Sequence, residues 1–208
     1  MTRRYLALGD SYTIGEGVSA NERWPRQLAV AVRRAGISLG DPDIVAKTGW
    51  TTMELLAALD ALSPPMRDDY ALVSLLIGVN DHYRGLGVRA FREGFLRLLA
   101  RAVHYAGGES SAVLVPSIPD WGVTPFAATD PRGVASIAKE IDQFNASIRD
   151  EARKAGARFV DVTSASRAAL ANSALLANDT LHPSSIMYRE WVRLIVPEAL
   201  GALGEGSR

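Results

Sequence analysis

Three short segments of the chain carry the residue types that a serine nucleophile requires. A Gly-Asp-Ser triplet ends at Ser11, Gly-Val-Asn-Asp occupies positions 78–81, and Asp179 lies three residues before His182. Acyl transfer by serine needs a base for the hydroxyl proton, a group that orients the base, and N–H donors for the oxyanion. The short spacing of Asp179 and His182 would bring a carboxylate onto one imidazole nitrogen, so that the other nitrogen could face Ser11.

Each segment taken alone also has a purely structural interpretation. A serine in a glycine-rich turn is commonly a turn residue or a helix N-cap, and Asn80 after a glycine is a common turn residue. An Asp-x-x-His-Pro segment often hydrogen-bonds to itself, and Gly49 before Trp50 is typical of a tight turn. The conjunction of the four features is therefore more informative than any one of them.

Alternating apolar runs and helical periodicity predict an α/β fold. The predicted strands are residues 5–9, 43–47, 72–77, 112–115 and 158–162, and the predicted helices are 24–35, 51–62, 88–105, 134–155 and 186–203, with a kink or break at Pro197. Continuous apolar strands that alternate with helices are typical of a parallel sheet covered on both faces.

This topology predicts where the chemical residues meet. Ligands of open parallel sheets bind at the carboxyl ends of the strands, near the point where strand order reverses. Ser11, Gly49 and Asn80 follow the first, second and third predicted strands, so we expect them at one edge. The irregular stretch 117–133 leaves the fourth strand, and a loop of that length is typically functional or disordered.

Composition limits the classes of function. The 208 residues suit a single domain over 1–208, and 23 basic residues balance 23 acidic ones, which gives no footprint for nucleic acid. The chain has no cysteine, no segment of signal-peptide type and no apolar run long enough to cross a membrane. We therefore expect a soluble, cytoplasmic protein, with no cofactor and no metal site, and the oligomeric state remains open.

With these segments in order, the chain resembles the SGNH hydrolases, also called GDSL esterases and lipases. The four blocks are Gly9-Asp-Ser11, Gly49 after the second strand, Gly78-Val-Asn80-Asp81 and Asp179-Thr-Leu-His182. They span the chain from end to end. Tyr12 replaces the leucine of the GDSL pattern, which alters a packing residue.

The resemblance implies a fold and a role for each block. The fold would be a three-layer α/β/α sandwich with a flavodoxin-like, five-stranded parallel sheet. Ser11 would be the nucleophile, His182 the base and then the acid, and Asp179 the residue that orients His182. The oxyanion hole would combine the backbone N–H groups of Ser11 and Gly49 with the side-chain amide of Asn80.

The substrate is less well defined by the sequence. Trp50, Trp121 and Phe126 could form walls of an apolar pocket, and His82 could lie at the pocket mouth. The two later aromatic residues could equally pack under their own loop. The resemblance favours a small-molecule carboxylic ester with a short to medium acyl chain. Thioesterase, lysophospholipase and carbohydrate deacetylase activities are the alternatives within the family.

Two rival interpretations do not require catalysis. A flavodoxin-like binder could hold the phosphate of a flavin in the turn 11–17, and would be yellow. A domain of the same fold could bind a glycan or a protein with its hydrolytic activity lost, although the intact blocks disfavour this. Asp10 and Asp81 are expected to be structural, and His104 to be solvated.

Overall fold

The computed structural model describes residues 2–205 and is built around a five-stranded parallel sheet. The strand order is β2-β1-β3-β4-β5. Each strand lies within two residues of its predicted bounds: Tyr5–Gly9 (β1), Asp43–Ala46 (β2), Leu72–Leu76 (β3), Val113–Pro116 (β4) and Arg158–Val160 (β5).

Helices cover both faces of the sheet. The first four are Ser11–Ile14 (α1), Trp24–Arg34 (α2), Thr52–Asp60 (α3) and Val79–Tyr83 (α4). The others are Val88–Tyr105 (α5), Val134–Ala155 (α6), Thr163–Ser166 (α7) and Ser185–Glu205 (α8).

The five long helices agree with the predicted ones, and the sequence did not indicate the short helices α1, α4 and α7. Helices α2 and α8 pack together on one face of the sheet, and α3, α5 and α6 pack on the other. The expected α/β/α sandwich is therefore confirmed. Helix α8 continues through Pro197 and does not break there.

The register of the sheet places three loops side by side. Gly9, at the end of β1, pairs with Ala46 of β2 on one side and with Leu76 of β3 on the other. Strand order reverses between β1 and β3, because the chain crosses from β2 at one edge to the far side of β1. The loops that follow these three strands therefore open on the crevice where a parallel sheet binds ligands.

Gly9 allows helix α1 to turn directly off the end of β1. A Cβ atom at this position would lie 2.2 Å from Thr13 Oγ1 and 2.5 Å from the Leu76 carbonyl oxygen. Because the second contact is with backbone, the collision could not be relieved by a side-chain rotation. The absence of a side chain at Gly9 therefore sets how closely the start of α1, which carries Ser11, packs on the sheet.

The core lies on both sides of the central strands. All residues of β1, β3 and β4 are buried, whereas the edge strand β2 is half-exposed. Along residues 2–205, no helix is both long enough and apolar enough to cross a bilayer.

Candidate active site

Ser11 is the first residue of α1 and is held by its neighbour Asp10. Asp10 Oδ1 accepts the Tyr12 backbone N–H at 3.0 Å, and the Asp10 carbonyl oxygen accepts the N–H of Ile14 at 2.9 Å. Asp10 is completely buried, in agreement with its expected structural role. Ser11 itself is 4% exposed and lines a cleft at the end of the sheet.

His182 and Asp179 form a compact unit in the loop before α8. His182 Nδ1 lies 2.6 Å from Asp179 Oδ2, and Asp179 Oδ1 accepts the backbone N–H groups of Leu181 and His182 at 3.0 and 2.9 Å. Thr180 has a φ of 59°, a left-handed conformation that closes this tight turn. The loop is tied at its base by a hydrogen bond from the Ala177 N–H to the His182 carbonyl oxygen at 2.7 Å.

The charge on Asp179 fixes the tautomer of His182. Burial opposes ionisation, but the hydrogen bonds from Leu181 and His182 outweigh it and lower the pKa of Asp179 below its ordinary value. A carboxylate can only accept hydrogen bonds, so His182 Nδ1 must carry the proton that it donates. In the neutral ring, Nε2 is then left with a lone pair and is able to take a proton.

Ser11 and His182 meet in one cleft of about 140 Å³. Its lining residues are Ser11, Tyr12, Thr48, Gly49, Val79, Asn80, Tyr83, Trp121, Phe126, Leu181 and His182. The Tyr12 and His182 rings lie 5.5 Å apart, centroid to centroid. No hydrogen bond joins the Ser11 hydroxyl to His182 within residues 2–205.

Three N–H groups of the cleft are available to an incoming oxygen. Neither the Ser11 nor the Gly49 backbone N–H donates to an acceptor in the described part of the chain. Asn80 Nδ2 donates one hydrogen to the Trp50 carbonyl oxygen at 3.0 Å. A primary amide has two hydrogens, and the second has no acceptor among residues 2–205. These are the three donors that the resemblance implied for an oxyanion hole.

The Gly49 loop is held in place by groups from its surroundings. Arg84 Nη2 donates to the Gly49 carbonyl oxygen at 2.6 Å, and Arg84 also pairs with Glu54 at 3.2 Å. Gly49 has a φ of +84°, which favours glycine at this position. The sequence did not indicate this role of Arg84.

Asp81 links α4, the short helix that contains Asn80, to the start of α3. Its Oδ2 accepts the Thr52 backbone N–H at 2.9 Å, and its Oδ1 accepts the Thr52 hydroxyl at 2.6 Å. Burial raises the pKa of Asp81 above its usual value, and both hydrogen bonds with Thr52 oppose that shift. The expected structural role of Asp81 agrees with this arrangement, because it fixes Asn80 relative to the loop that contains Gly49.

Two of the four residues predicted to contact substrate lie elsewhere. Trp50 is half-buried against the core and presents its carbonyl oxygen, not its ring, to the site. His82 is only 2% exposed and is bonded to Glu140 and Trp121 behind the cleft. Contrary to the expectation, neither side chain is among the residues that line the cleft.

The two other aromatic predictions do reach the cleft. Trp121 is buried and forms its inner wall, and Phe126, at 44% exposed, lies at its opening. Tyr83, which the sequence did not indicate, is 48% exposed and makes an edge contact with Trp121 at 5.4 Å. The stretch 117–133, expected to be irregular, contains two short 3₁₀ helices that hold both aromatic residues.

The site has no geometry for a metal ion. Across residues 2–205, no group of three histidine, aspartate or glutamate side chains could bind one. The cleft itself presents a serine hydroxyl, an imidazole paired with a carboxylate, and three N–H donors.

Solved structures with the same fold include several acyl-ester hydrolases. The structure of TesA has a TM-score of 0.72 and 19% identity, covering 97% of this chain and 100% of that one. A lipase/acylhydrolase from Enterococcus faecalis has a TM-score of 0.67 and 21% identity, covering 95% and 96%. An acetyl xylan esterase of Geobacillus stearothermophilus, as a W215I variant, has a TM-score of 0.64 and 20% identity, covering 95% and 94%.

The comparison with curated protein sequences found no match. At the identities of the solved structures, the likeness establishes the fold. The sequence model of the GDSL-like lipase/acylhydrolase family matches residues 7–190, a range that contains Ser11, Gly49, Asn80, Asp179 and His182. The chain is therefore a member of the GDSL-like lipase/acylhydrolase family, a group of carboxylic ester hydrolases.

Proposed function

We propose that this hydrolase is a serine esterase in which Ser11 attacks the ester carbonyl and His182 takes the hydroxyl proton. One observation supports this most directly: Ser11, His182 and three available N–H donors line the same small cleft. The hydrogen bond from His182 Nδ1 to Asp179 leaves Nε2 as the base.

The proposed reaction proceeds through an acyl-enzyme. As the Ser11 Oγ–carbon bond forms, His182 accepts the Ser11 proton and the carbonyl oxygen gains negative charge. That oxygen is stabilised by the Ser11 and Gly49 N–H groups and by Asn80 Nδ2. His182 then gives its proton to the departing alcohol, and water, activated by His182 in turn, releases the carboxylic acid.

The size of the cleft supports a short acyl group. Its volume of about 140 Å³ is close to that of a protein cavity that accommodates a benzene molecule. We therefore infer that the cleft accommodates a short acyl group, of about benzene size. The wall is mainly aromatic, from Tyr83, Trp121 and Phe126, which suits an apolar acyl chain rather than a charged one.

A flavin-binding role gives no function to the free donors or to the His182–Asp179 unit. Hydrolysis uses all of them, and the family assignment favours it. A flavin-binding protein would also carry an absorbance band in the visible region, which a spectrum of the purified protein would reveal.

Two measurements test the proposal. Initial rates with p-nitrophenyl esters of increasing acyl length should show turnover that Ser11→Ala abolishes, whereas Ser38→Ala, which removes an exposed serine hydroxyl, should not change it. A fluorophosphonate should add covalently to the wild type at Ser11, as read by peptide mass, and not to Ser11→Ala. Equal turnover and labelling of both proteins would refute Ser11 as the nucleophile. If the fluorophosphonate labels Ser11 but no p-nitrophenyl ester is hydrolysed, Ser11 remains the nucleophile and the short-acyl assignment is rejected.

A further inference from the structure

The Trp121 wall of the cleft is held from behind by His82. Trp121 Nε1 lies 3.1 Å from His82 Nδ1, and the two rings are 5.9 Å apart. An indole N–H can only donate, so His82 Nδ1 must be the acceptor and carry no proton. His82 Nε2 lies 2.8 Å from Glu140 Oε2, and it must then carry the hydrogen and donate it to that carboxylate. The contacts therefore fix one neutral tautomer of His82.

Charged groups surround this pair on several elements. Arg132, in the loop before α6, lies over the Trp121 ring at 5.1 Å and donates to the His82 carbonyl oxygen at 3.3 Å. Arg132 also pairs with Asp130 at 2.8 Å and lies 3.8 Å from Glu140.

Two further carboxyl groups near the His82–Trp121 pair are each bonded to another residue. Asp120, beside Trp121, is paired with Arg167 at 2.9 Å, and Asp81, beside His82, is bonded to Thr52.

The balance of these effects keeps His82 neutral. Burial lowers the pKa of His82 most, Arg132 lowers it further, and Glu140 and Asp120 oppose the shift. A second proton on the ring would set an N–H of His82 against the N–H of Trp121. The orientation of the indole thus depends on a histidine that does not contact the cleft.

We propose that His82 and Glu140 are positioning residues that hold the Trp121 indole against the cleft and so determine which acyl groups fit. This inference rests on the proposed function, because acyl selection has meaning only if the cleft binds an ester. Neither side chain touches the reacting atoms. Their effect reaches the substrate through Trp121, whose ring is the inner wall.

Loss of the His82 acceptor should change which acyl groups the cleft binds and leave the rate of the chemical step nearly unchanged. Without an acceptor for its N–H, the buried Trp121 would lose its preferred orientation, and the wall would fit the acyl chain less closely. For the preferred ester we expect KM to rise roughly five- to tenfold with kcat changed less than about twofold, since the lost interaction is made equally in ground and transition states.

The test compares three replacements of the backing residues. His82→Leu keeps the bulk and removes the acceptor, and His82→Asn can present an amide oxygen where Nδ1 was. Glu140→Gln keeps an acceptor for His82 and removes the charge. His104→Leu, on the exposed face of α5, is the matched control. The inference predicts that His82→Leu raises KM and flattens the acyl-length preference and that His82→Asn restores most of both. Glu140→Gln, which keeps the acceptor for His82 Nε2, should raise KM less than His82→Leu does, and His104→Leu should change neither property.

A double-mutant cycle with Trp121→Phe isolates the proposed link. The phenylalanine keeps a ring in the wall but has no N–H, so His82→Leu should have little further effect in that background. Equal effects of His82→Leu with and without the Trp121 N–H would overturn the inference, because His82 would then act by another route.

An NMR measurement separates failure of this inference from failure of the proposed function. The chain has four tryptophans, and ¹⁵N-tryptophan labelling gives each indole N–H a signal, with that of Trp121 identified by its loss in Trp121→Phe. His82→Leu should move this signal and His82→Asn should move it back. If no ester is hydrolysed while the signal responds, the proposed function fails and the positioning contact stands. An unmoved signal in an active enzyme would refute the inference.

Discussion

Asp10 is a completely buried carboxyl group with only one of its oxygens hydrogen-bonded, which leads to a specific prediction. Oδ1 accepts the Tyr12 N–H, whereas Oδ2 has no hydrogen-bond partner within residues 2–205. Burial, with a smaller contribution from the nearby charge of Asp81, raises the pKa of Asp10 from 3.8 to about 8, and the Tyr12 N–H opposes the shift. At neutral pH the native protein therefore holds Asp10 in its protonated form.

The sign of the effect on stability follows from where the proton is bound. Below about pH 4 the Asp10 carboxyl is protonated in both the native and the unfolded protein. Between about pH 4 and pH 8 it stays protonated in the native protein but is ionised in the unfolded chain. The contribution of Asp10 to stability should therefore fall as the pH rises through this window and level off above it. One pKa unit corresponds to about 1.4 kcal/mol, so from pH 5 to pH 8 the contribution of Asp10 should fall by about 4 kcal/mol.

The variant Asp10→Asn isolates this contribution. Asparagine keeps an oxygen for the Tyr12 N–H but does not titrate. Its NH₂ group replaces the unpaired Oδ2, and the cost of burying an unpaired donor, about 1–3 kcal/mol, is the same at every pH. Urea unfolding of both proteins at a series of pH values should show a stability difference that moves by about 4 kcal/mol in favour of the variant between pH 5 and pH 8.

A surface variant serves as the control. Asp150→Asn, which removes an exposed carboxylate, should follow the wild-type curve in parallel. If the difference between wild type and Asp10→Asn changes by less than about 1 kcal/mol over the same range, Asp10 is ionised in the native protein and the interpretation of its burial is wrong.

Three further predictions concern substitutions of Asn80, Asp179 and Gly9. Asn80→Ala should lower kcat by about 10²–10³ with p-nitrophenyl esters if its amide stabilises the oxyanion, and a loss below tenfold would exclude that role. Asp179→Asn should lower kcat by about 10⁴ while the melting temperature changes little, because an amide N–H facing His182 Nδ1 favours the wrong tautomer; near-normal turnover would contradict the assignment. Gly9→Ala should lose at least about 2 kcal/mol in urea unfolding because its Cβ meets backbone, whereas Gly87→Ala, which has open space, should lose less than about 1 kcal/mol.

The sequence predicted the fold well because its signals are local. The buried parallel strands are continuous apolar runs, helices α2, α5 and α6 have a clear apolar stripe, and α3 begins at the capping box of Thr51 and Glu54. The convergence of Ser11, Gly49 and Asn80 needed only the rule that loops after neighbouring parallel strands share an edge. None of these inferences required knowledge of a particular side-chain direction.

The errors concern side-chain direction, which depends on tertiary packing. Residues 79–83 form a short helix, whereas Asn80 after a glycine is also a common turn residue. In a helix, Asn80 and Tyr83 share a face, while His82 lies about 200° around from Asn80. This explains why Tyr83 reaches the cleft and His82 does not. Helical spacing after the Gly-Val-Asn-Asp segment was the signal that could have identified Tyr83.

Hydrogen bonds within the protein fix the positions of the Gly49 and Asn80 N–H donors relative to each other. The loop after β2 and helix α4 after β3 are joined by Arg84 to the Gly49 carbonyl oxygen, by Asn80 to the Trp50 carbonyl oxygen, and by Asp81 to Thr52. Donors that are already oriented cost no reorganisation when the oxyanion forms, which is how such sites lower a barrier. His182 and Asp179 instead belong to a loop whose described hydrogen bonds are largely its own. The proposed oxyanion donors and the proposed base thus belong to separate structural units that meet at Ser11, so a substitution in one unit should leave the geometry of the other intact.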